Sequence, residues 1–198
     1  MTRRRPAAHR PAHRPAPGGA WLLAAVLAGC AASPPVLDLD GQRQRPLTLD
    51  GASAHVLVFI ATDCPIANSY APELRRLVEA HRGRPVRFYL VHADPEVDAA
   101  AAREHAAAYE LAGLAPVLLD RDRALLRFTG AGRTPEAVVL DAAGVAYRGR
   151  IDDRWDDLGV RRVAATQHDL RDAIAAVLAG QAVPQPWPEA VGCDVPWQ

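Results

Sequence analysis

Three cysteines, Cys30, Cys64 and Cys193, hold most of the chemical reach of this 198-residue chain. Cys64 stands in Thr62-Asp63-Cys64-Pro65, between two different hydrophobic patterns. Before it, His55 to Ala61 is an apolar run rich in Val and Ile, which reads as a strand. After it, Leu74, Leu77 and Val78 fall three or four apart, as one buried helix face requires. A thiol at such a junction meets unpaired backbone N–H groups and the positive end of a helix dipole. Both favour the thiolate, which is the reactive form. Pro65 suits the first helical turn, where its missing N–H costs nothing. The competing reading is an inert core cysteine, since free Cys is often buried. Position favours the reactive reading, because open α/β sheets place their chemistry at the C-terminal ends of strands.

Cys30 closes a leader. Residues 1–29 hold five Arg and no acidic residue, and Ala20 to Ala28 is a short apolar run. That run is too short to span a bilayer and fits the apolar region of a signal peptide. Leu27-Ala28-Gly29-Cys30 resembles a bacterial lipobox, which implies acylation of Cys30 and anchoring by lipid. The expectation is a periplasm-facing, lipid-anchored envelope protein, with Ala31 favouring the outer membrane. With Cys30 lipidated, two thiols remain in an oxidising compartment. They are open to three readings: a redox pair, a structural staple, or two unpaired cysteines.

The formal charge of zero hides an uneven distribution. Beyond the leader, 18 Arg face 23 acidic residues, and the chain has no Lys. A nucleic-acid binder would normally carry a basic patch, so that class is set aside.

The remaining elements position Cys64. Val36 to Asp40 and Arg45 to Leu49 read as a small hairpin around Gly41. Asp38-x-Asp40-Gly41 is not a calcium loop, because no Glu stands at the twelfth position. Val86 to Ala93 reads as a buried strand, with His92 at its end as a turn-capping residue or, less simply, a ligand or base. Glu96 to Leu111 reads as an Ala-rich helix with His105 exposed in its middle. Pro116 to Asp120 reads as a strand, and Asp122 is placed to cap a helix over Arg123 to Phe128. Two strands joined by a short Gly turn follow Thr134-Pro135 and must be antiparallel. The loop 151–162 carries four Asp and reads as solvated, with internal Arg–Asp pairs and Trp155 as an anchor or cover. Leu170, Ile174, Val177 and Leu178 form the core stripe of a closing helix ended by Gly180. Residues 181–198 carry four prolines and two Trp, so they can be neither helix nor central strand. An extended tail packed on the domain is expected, with disorder as the alternative.

Strands alternating with helices predict an α/β sheet covered on both faces. The order of strand, Thr62-Asp63-Cys64-Pro65, a helix interrupted by Pro72, and Thr134-Pro135 before the strand Ala137 to Leu140 resembles the thioredoxin superfamily. It is most similar to the redoxin or peroxiredoxin-like branch (alkyl hydroperoxide reductase/thiol-specific antioxidant type). The resemblance covers most of residues 36–180. It implies a thioredoxin-like three-layer fold with a central mixed sheet and helices on both faces. It also implies Cys64 as nucleophile and Pro135 as a cis-proline shaping the groove at the sulfur. Thr62 would donate to sulfur or substrate, and Cys193 or an external thiol would resolve the oxidised Cys64. Arg148 or Arg150 would steady the thiolate, unless each simply pairs with Asp152 or Asp153. Asp63, a like charge, works against a very low Cys64 pKa.

The pattern also departs from its relatives. Ala67 and Asn68 stand where a thioredoxin or a copper chaperone of this superfamily would place a second cysteine. Leu57 stands where typical peroxiredoxins have Pro, and Thr62 is one residue nearer the cysteine. The expected activity is an envelope-anchored thiol–disulfide oxidoreductase or peroxiredoxin-like antioxidant protein, needing a thiol reductant but no bound cofactor or metal. Its partners would be thiol or disulfide proteins, small thiols or a peroxide. The alternative is a non-catalytic binding module that holds a partner protein, or copper through Cys64 and His92.

Overall fold

A computed structural model describes residues 35–195. The leader, Cys30 and residues 31–34, read from the sequence as part of a short tether, lie outside the described residues.

The centre is β3, Ala54–Ile60, in which every residue is buried. Val56, Val58 and Ile60 feed one apolar cluster, and Leu57 and Phe59 feed the other. A strand covered on both faces reads as a continuous apolar run, which is why this stretch shows no polar alternation. Even His55 is enclosed, with its Nδ1 2.9 Å from the Pro46 carbonyl. Ahead of β3, β1 (Val36–Leu37) and β2 (Arg43–Gln44) form a short antiparallel hairpin. The Asp38 carboxylate accepts from Asp40 N, Gln42 N and Gln44 Nε2 and so shapes the turn.

Two helices follow β3: α1, Pro65–Ser69, and α2, Ala71–Ala80. Pro72 separates them, since without an N–H it cannot donate to the carbonyl four residues back. β4, Val86–His92, runs parallel to β3, and its His92 lies in register with Ile60. α3 is Ala99–Ala108, shorter than expected, because Asp98 caps it by accepting from Ala101 N at 2.8 Å.

β5, Val117–Leu119, pairs parallel to β4, and α4, Ala124–Thr129, follows. Asp122 does not cap α4. Arg123 adopts a left-handed backbone (φ 53°), and the buried Asp120 carboxylate instead accepts from Leu125 N and Leu126 N at 3.1 and 2.9 Å.

β6, Arg133–Thr134, precedes a cis Thr134–Pro135 bond and β7, Glu136–Asp141. β8, Gly144–Gly149, completes a five-stranded sheet in the order β5-β4-β3-β7-β8. β7 and β8 are antiparallel to their neighbours, so the sheet is mixed. The charged loop is a small hairpin of β9 (Trp155–Asp157) and β10 (Val160–Arg161). α5, Asp169–Leu178, buries Leu170, Ile174 and Val177 against the sheet.

Beyond α5 the chain runs extended. Arg150 N donates to Pro188 O, and Arg133 Nη1 donates to Ala190 O. The segment ends in β11, Cys193–Asp194, antiparallel to β6 with Cys193 opposite Thr134.

Candidate active site

Cys64 is the N-cap of α1, with extended backbone angles (φ −86°, ψ 107°) and no exposed surface. Its sulfur accepts from Ala67 N at 3.5 Å, as a capping side chain does at a helix start. As a thiol it also donates to the Thr134 carbonyl at 3.0 Å. β11 is the wall on the far side. Cys193 pairs with Thr134 across β6, and its side chain is within hydrogen-bonding reach of Cys64. Both cysteines are free thiols, one buried and one half-buried. Of the three readings open for the two thiols, the structure brings Cys64 and Cys193 together.

The two thiols are pulled apart in acidity. Burial is the largest single influence on Cys64 and disfavours its thiolate. Hydrogen bonds from the Cys193 side chain, the Ala67 N–H and the Thr134 side chain oppose burial, and the net direction is down. For Cys193 burial and the Cys64 charge act the same way, helped by Asp63 and Asp194, and its pKa is pushed up to about 12. Of the two thiols, ionisation is favoured at Cys64, with the Cys193 thiol as donor, and it gives up the hydrogen bond that Cys64 donates to the Thr134 carbonyl.

Beside Cys193 lies a cavity of about 160 Å³. Ile60, Ala93 and Val195 give it apolar walls, and Asp63, Asp94 and Asp194 give it an acidic rim. Cys193 lines this cavity, whereas Cys64 is sealed behind it. A larger cavity of about 500 Å³ lies between Leu39, Arg103 and Val117, but no cysteine lines it.

Pro135 follows Thr134, the residue on which both cysteines converge. Thr62 does not reach the sulfur through its hydroxyl; its carbonyl accepts from Asn68 Nδ2 at 3.1 Å, and Thr134 is the threonine at Cys64. Arg148 and Arg150 do not steady Cys64 either. They lie on or just beyond edge strand β8, which β7 separates from β3. Arg148 is taken up by Glu136 and the Gly130 carbonyl, and Arg150 by Asp169 and Gln167. Neither pairs with Asp152 or Asp153.

His105 is buried, not exposed, and its Nε2 lies 2.8 Å from Asn68 Oδ1. Asn68 thereby ties the Cys64 loop to α3, a role its place one helical turn beyond Cys64 could have signalled. His92 stacks edge-on with His105, and neither of its ring nitrogens has a hydrogen-bond partner among the described residues. Burial, then the neighbouring His105, lower its pKa to about 4, so it is neutral. Trp155 anchors its hairpin by donating to Ser69 Oγ.

Among the described residues one group has metal-binding geometry: Glu73, Asp152 and His168, with ligand atoms within 4.8 Å of one another. Arg154 already stands there, 3.8 Å from Glu73 and 3.3 Å from Asp152, so the carboxylate charge is met by guanidinium.

No family model matches the chain, and no curated relative matches it. Solved structures do. An uncharacterized conserved protein from Geobacillus kaustophilus is 24% identical, with a TM-score of 0.71, over 83% of this chain and 88% of that one. A secreted disulfide oxidoreductase of Mycobacterium tuberculosis, homologous to E. coli DsbE, is 22% identical, with a TM-score of 0.51, over 74% and 94%. A thiol:disulfide interchange protein of the thioredoxin family from Chlorobium tepidum is 18% identical, with a TM-score of 0.52, over 73% and 94%. With its mixed five-stranded sheet and Cys64 at the β3–α1 junction, this chain has the thioredoxin-like fold.

Proposed function

We propose that this protein is a thiol–disulfide oxidoreductase whose Cys64 and Cys193 cycle between dithiol and disulfide. The observation that carries this reading is the pair itself: two free thiols in hydrogen-bonding reach, one favoured as thiolate and the other as thiol. That asymmetry is what exchange needs, since the thiolate attacks and the low-pKa sulfur leaves. Similarity to structures described as a disulfide oxidoreductase and a thiol:disulfide interchange protein supports the same chemistry. Partners would be proteins or small molecules that carry thiols or disulfides.

A peroxiredoxin-like reaction has less support. It would oxidise Cys64 to a sulfenic acid and resolve it with Cys193. Cys64 has no exposed surface, and both strand-borne arginines are engaged elsewhere. We further propose that the protein works at the cell envelope, tethered through lipid on Cys30; the leader sequence is the support for this.

The test is peptide mapping of thiol states in the purified protein, as isolated, after reductant and after a disulfide oxidant. The expected result is a Cys64–Cys193 disulfide that forms and breaks readily. Two cysteines that remain unlinked under oxidant would overturn the reading.

A further inference from the structure

We infer that Cys193, not Cys64, is the sulfur that carries the client: the incoming thiolate attacks Cys193 of the oxidised pair, and Cys64 is expelled. This rests on the reading of the two cysteines as a redox pair and adds a direction to it.

Geometry makes the first argument. Disulfide exchange needs access along the line of the sulfur under attack. Cys64 has no exposed surface and lies behind β11, while Cys193 is half-buried and lines the cavity. At about 160 Å³ that cavity has room for a cysteine side chain. Ile60, Ala93 and Val195 suit the methylene of such a side chain. Asp194 is paired with Arg133, and the remaining acidic rim of Asp63 and Asp94 favours a thiol that carries positive charge beside it.

The leaving group makes the second. Expelling a sulfur is faster when its thiolate is stable. Attack on Cys193 expels Cys64, which keeps its N-cap contact with Ala67 N. Attack on Cys64 would expel Cys193, whose thiolate is disfavoured by burial and by Asp63 and Asp194. Access and leaving-group stability choose the same sulfur.

The step balances. A client thiolate bonds to Cys193 Sγ as the Cys64–Cys193 bond breaks, and the electron pair goes to Cys64 Sγ. A second client thiolate then attacks the client sulfur, a client disulfide forms, and Cys193 leaves and takes a proton. The client loses two electrons and the protein gains them. An external disulfide compound restores the oxidised pair. The freed Cys64 thiolate can re-attack Cys193 Sγ and expel the client, so an excess of client thiol is what drives the first step forward and lets the client–Cys193 adduct build up.

The probe is cysteamine, a small cationic thiol, added in excess to the purified full chain oxidised with a disulfide reagent. Acid quench, alkylation and peptide mapping report which cysteine holds the adduct. The adduct is expected on Cys193 with Cys64 alkylated, in about tenfold excess or more over the reverse. Equal labelling, or an adduct mainly on Cys64, would overturn the inference and leave the redox-pair reading intact. If no Cys64–Cys193 disulfide forms in the starting material, both fall together. Repeating the reaction with 3-mercaptopropionate reads the rim: slower adduct formation by the anionic thiol at low salt, converging at high salt, is expected, and faster reaction would overturn the charge preference.

Discussion

The two walls that meet at Cys64 are held in opposite ways. On one side, β3 is bonded to strands along both edges and passes directly into α1. Behind it, Asn68 links the Thr62 carbonyl to His105. On the other side, β11 has a two-residue pairing with β6 and a few further backbone bonds, such as Val195 N to Gly132 O. The sulfur that is expelled is therefore built into the frame, and the sulfur that meets clients is laid over it. Orientation needs a rigid support, while a sulfur that must meet clients needs an open side.

Removing the sulfur on the frame side is the most drastic way to test that division. Cys64→Ser is expected to abolish thiol–disulfide turnover, by about 100-fold or more, with the far-ultraviolet spectrum unchanged. The measurement is the rate of reduction of a disulfide substrate; residual turnover near wild type would place the chemistry elsewhere.

The frame also predicts acid sensitivity. His92 is held neutral with a pKa of about 4, so the unfolded chain, near 6.5, binds the proton more readily. Its contribution is fully present above about pH 6.5 and is lost as pH falls towards 4, about 3 kcal/mol in all. Urea unfolding at pH 7 and pH 4 should show a smaller acid loss in His92→Leu than in the wild type.

On the tail side, Cys193→Ala removes the foremost donor to the Cys64 sulfur. A hydrogen bond to a charged group contributes about 1.5–3 kcal/mol, so the Cys64 pKa should rise by about one unit or more. Thiolate absorbance against pH reads this directly, and an unchanged midpoint would detach the two cysteines.

Gly192→Ala tests the contact between the walls. A Cβ there would overlap the Thr134 carbonyl, so the tail must shift outward. Alkylation of Cys64 in the reduced protein should speed up by about tenfold, with little change in overall stability. The smallest effect expected is that of Asn68→Ala. It leaves the Thr62 carbonyl and His105 Nε2 without a partner, costing about 1–2 kcal/mol of stability and loosening the Cys64 loop.

The frame and the extended course of the tail were legible in the sequence, and the place where the tail brings Cys193 was not, for one physical reason. β3, α1 and the Pro72 break are local patterns, visible as periodicity and proline chemistry. The meeting of Cys64 with Cys193 depends on the path of a proline-rich segment over the domain, and no spacing encodes that. His105 was misread because α3 is almost all Ala around it, so no apolar stripe marks its buried face. Asp120 and Asp122 were exchanged because the left-handed Arg123 moves the helix start. Arg148 and Arg150 were misplaced because the sequence does not show that the last strand of the sheet lies at its edge, or that it stops before Arg150.

The pairing of β11 with β6 makes the tail an internal competitor. It fills the backbone edge of Thr134 that any other extended strand would need. A segment tethered this way acts at an effective concentration in the millimolar range. An outside peptide that seeks to line up along Thr134 must overcome that occupancy, while a compact side chain entering at Cys193 need not. The same two-residue ladder therefore sets an affinity threshold, screening visitors by shape before any bond is exchanged.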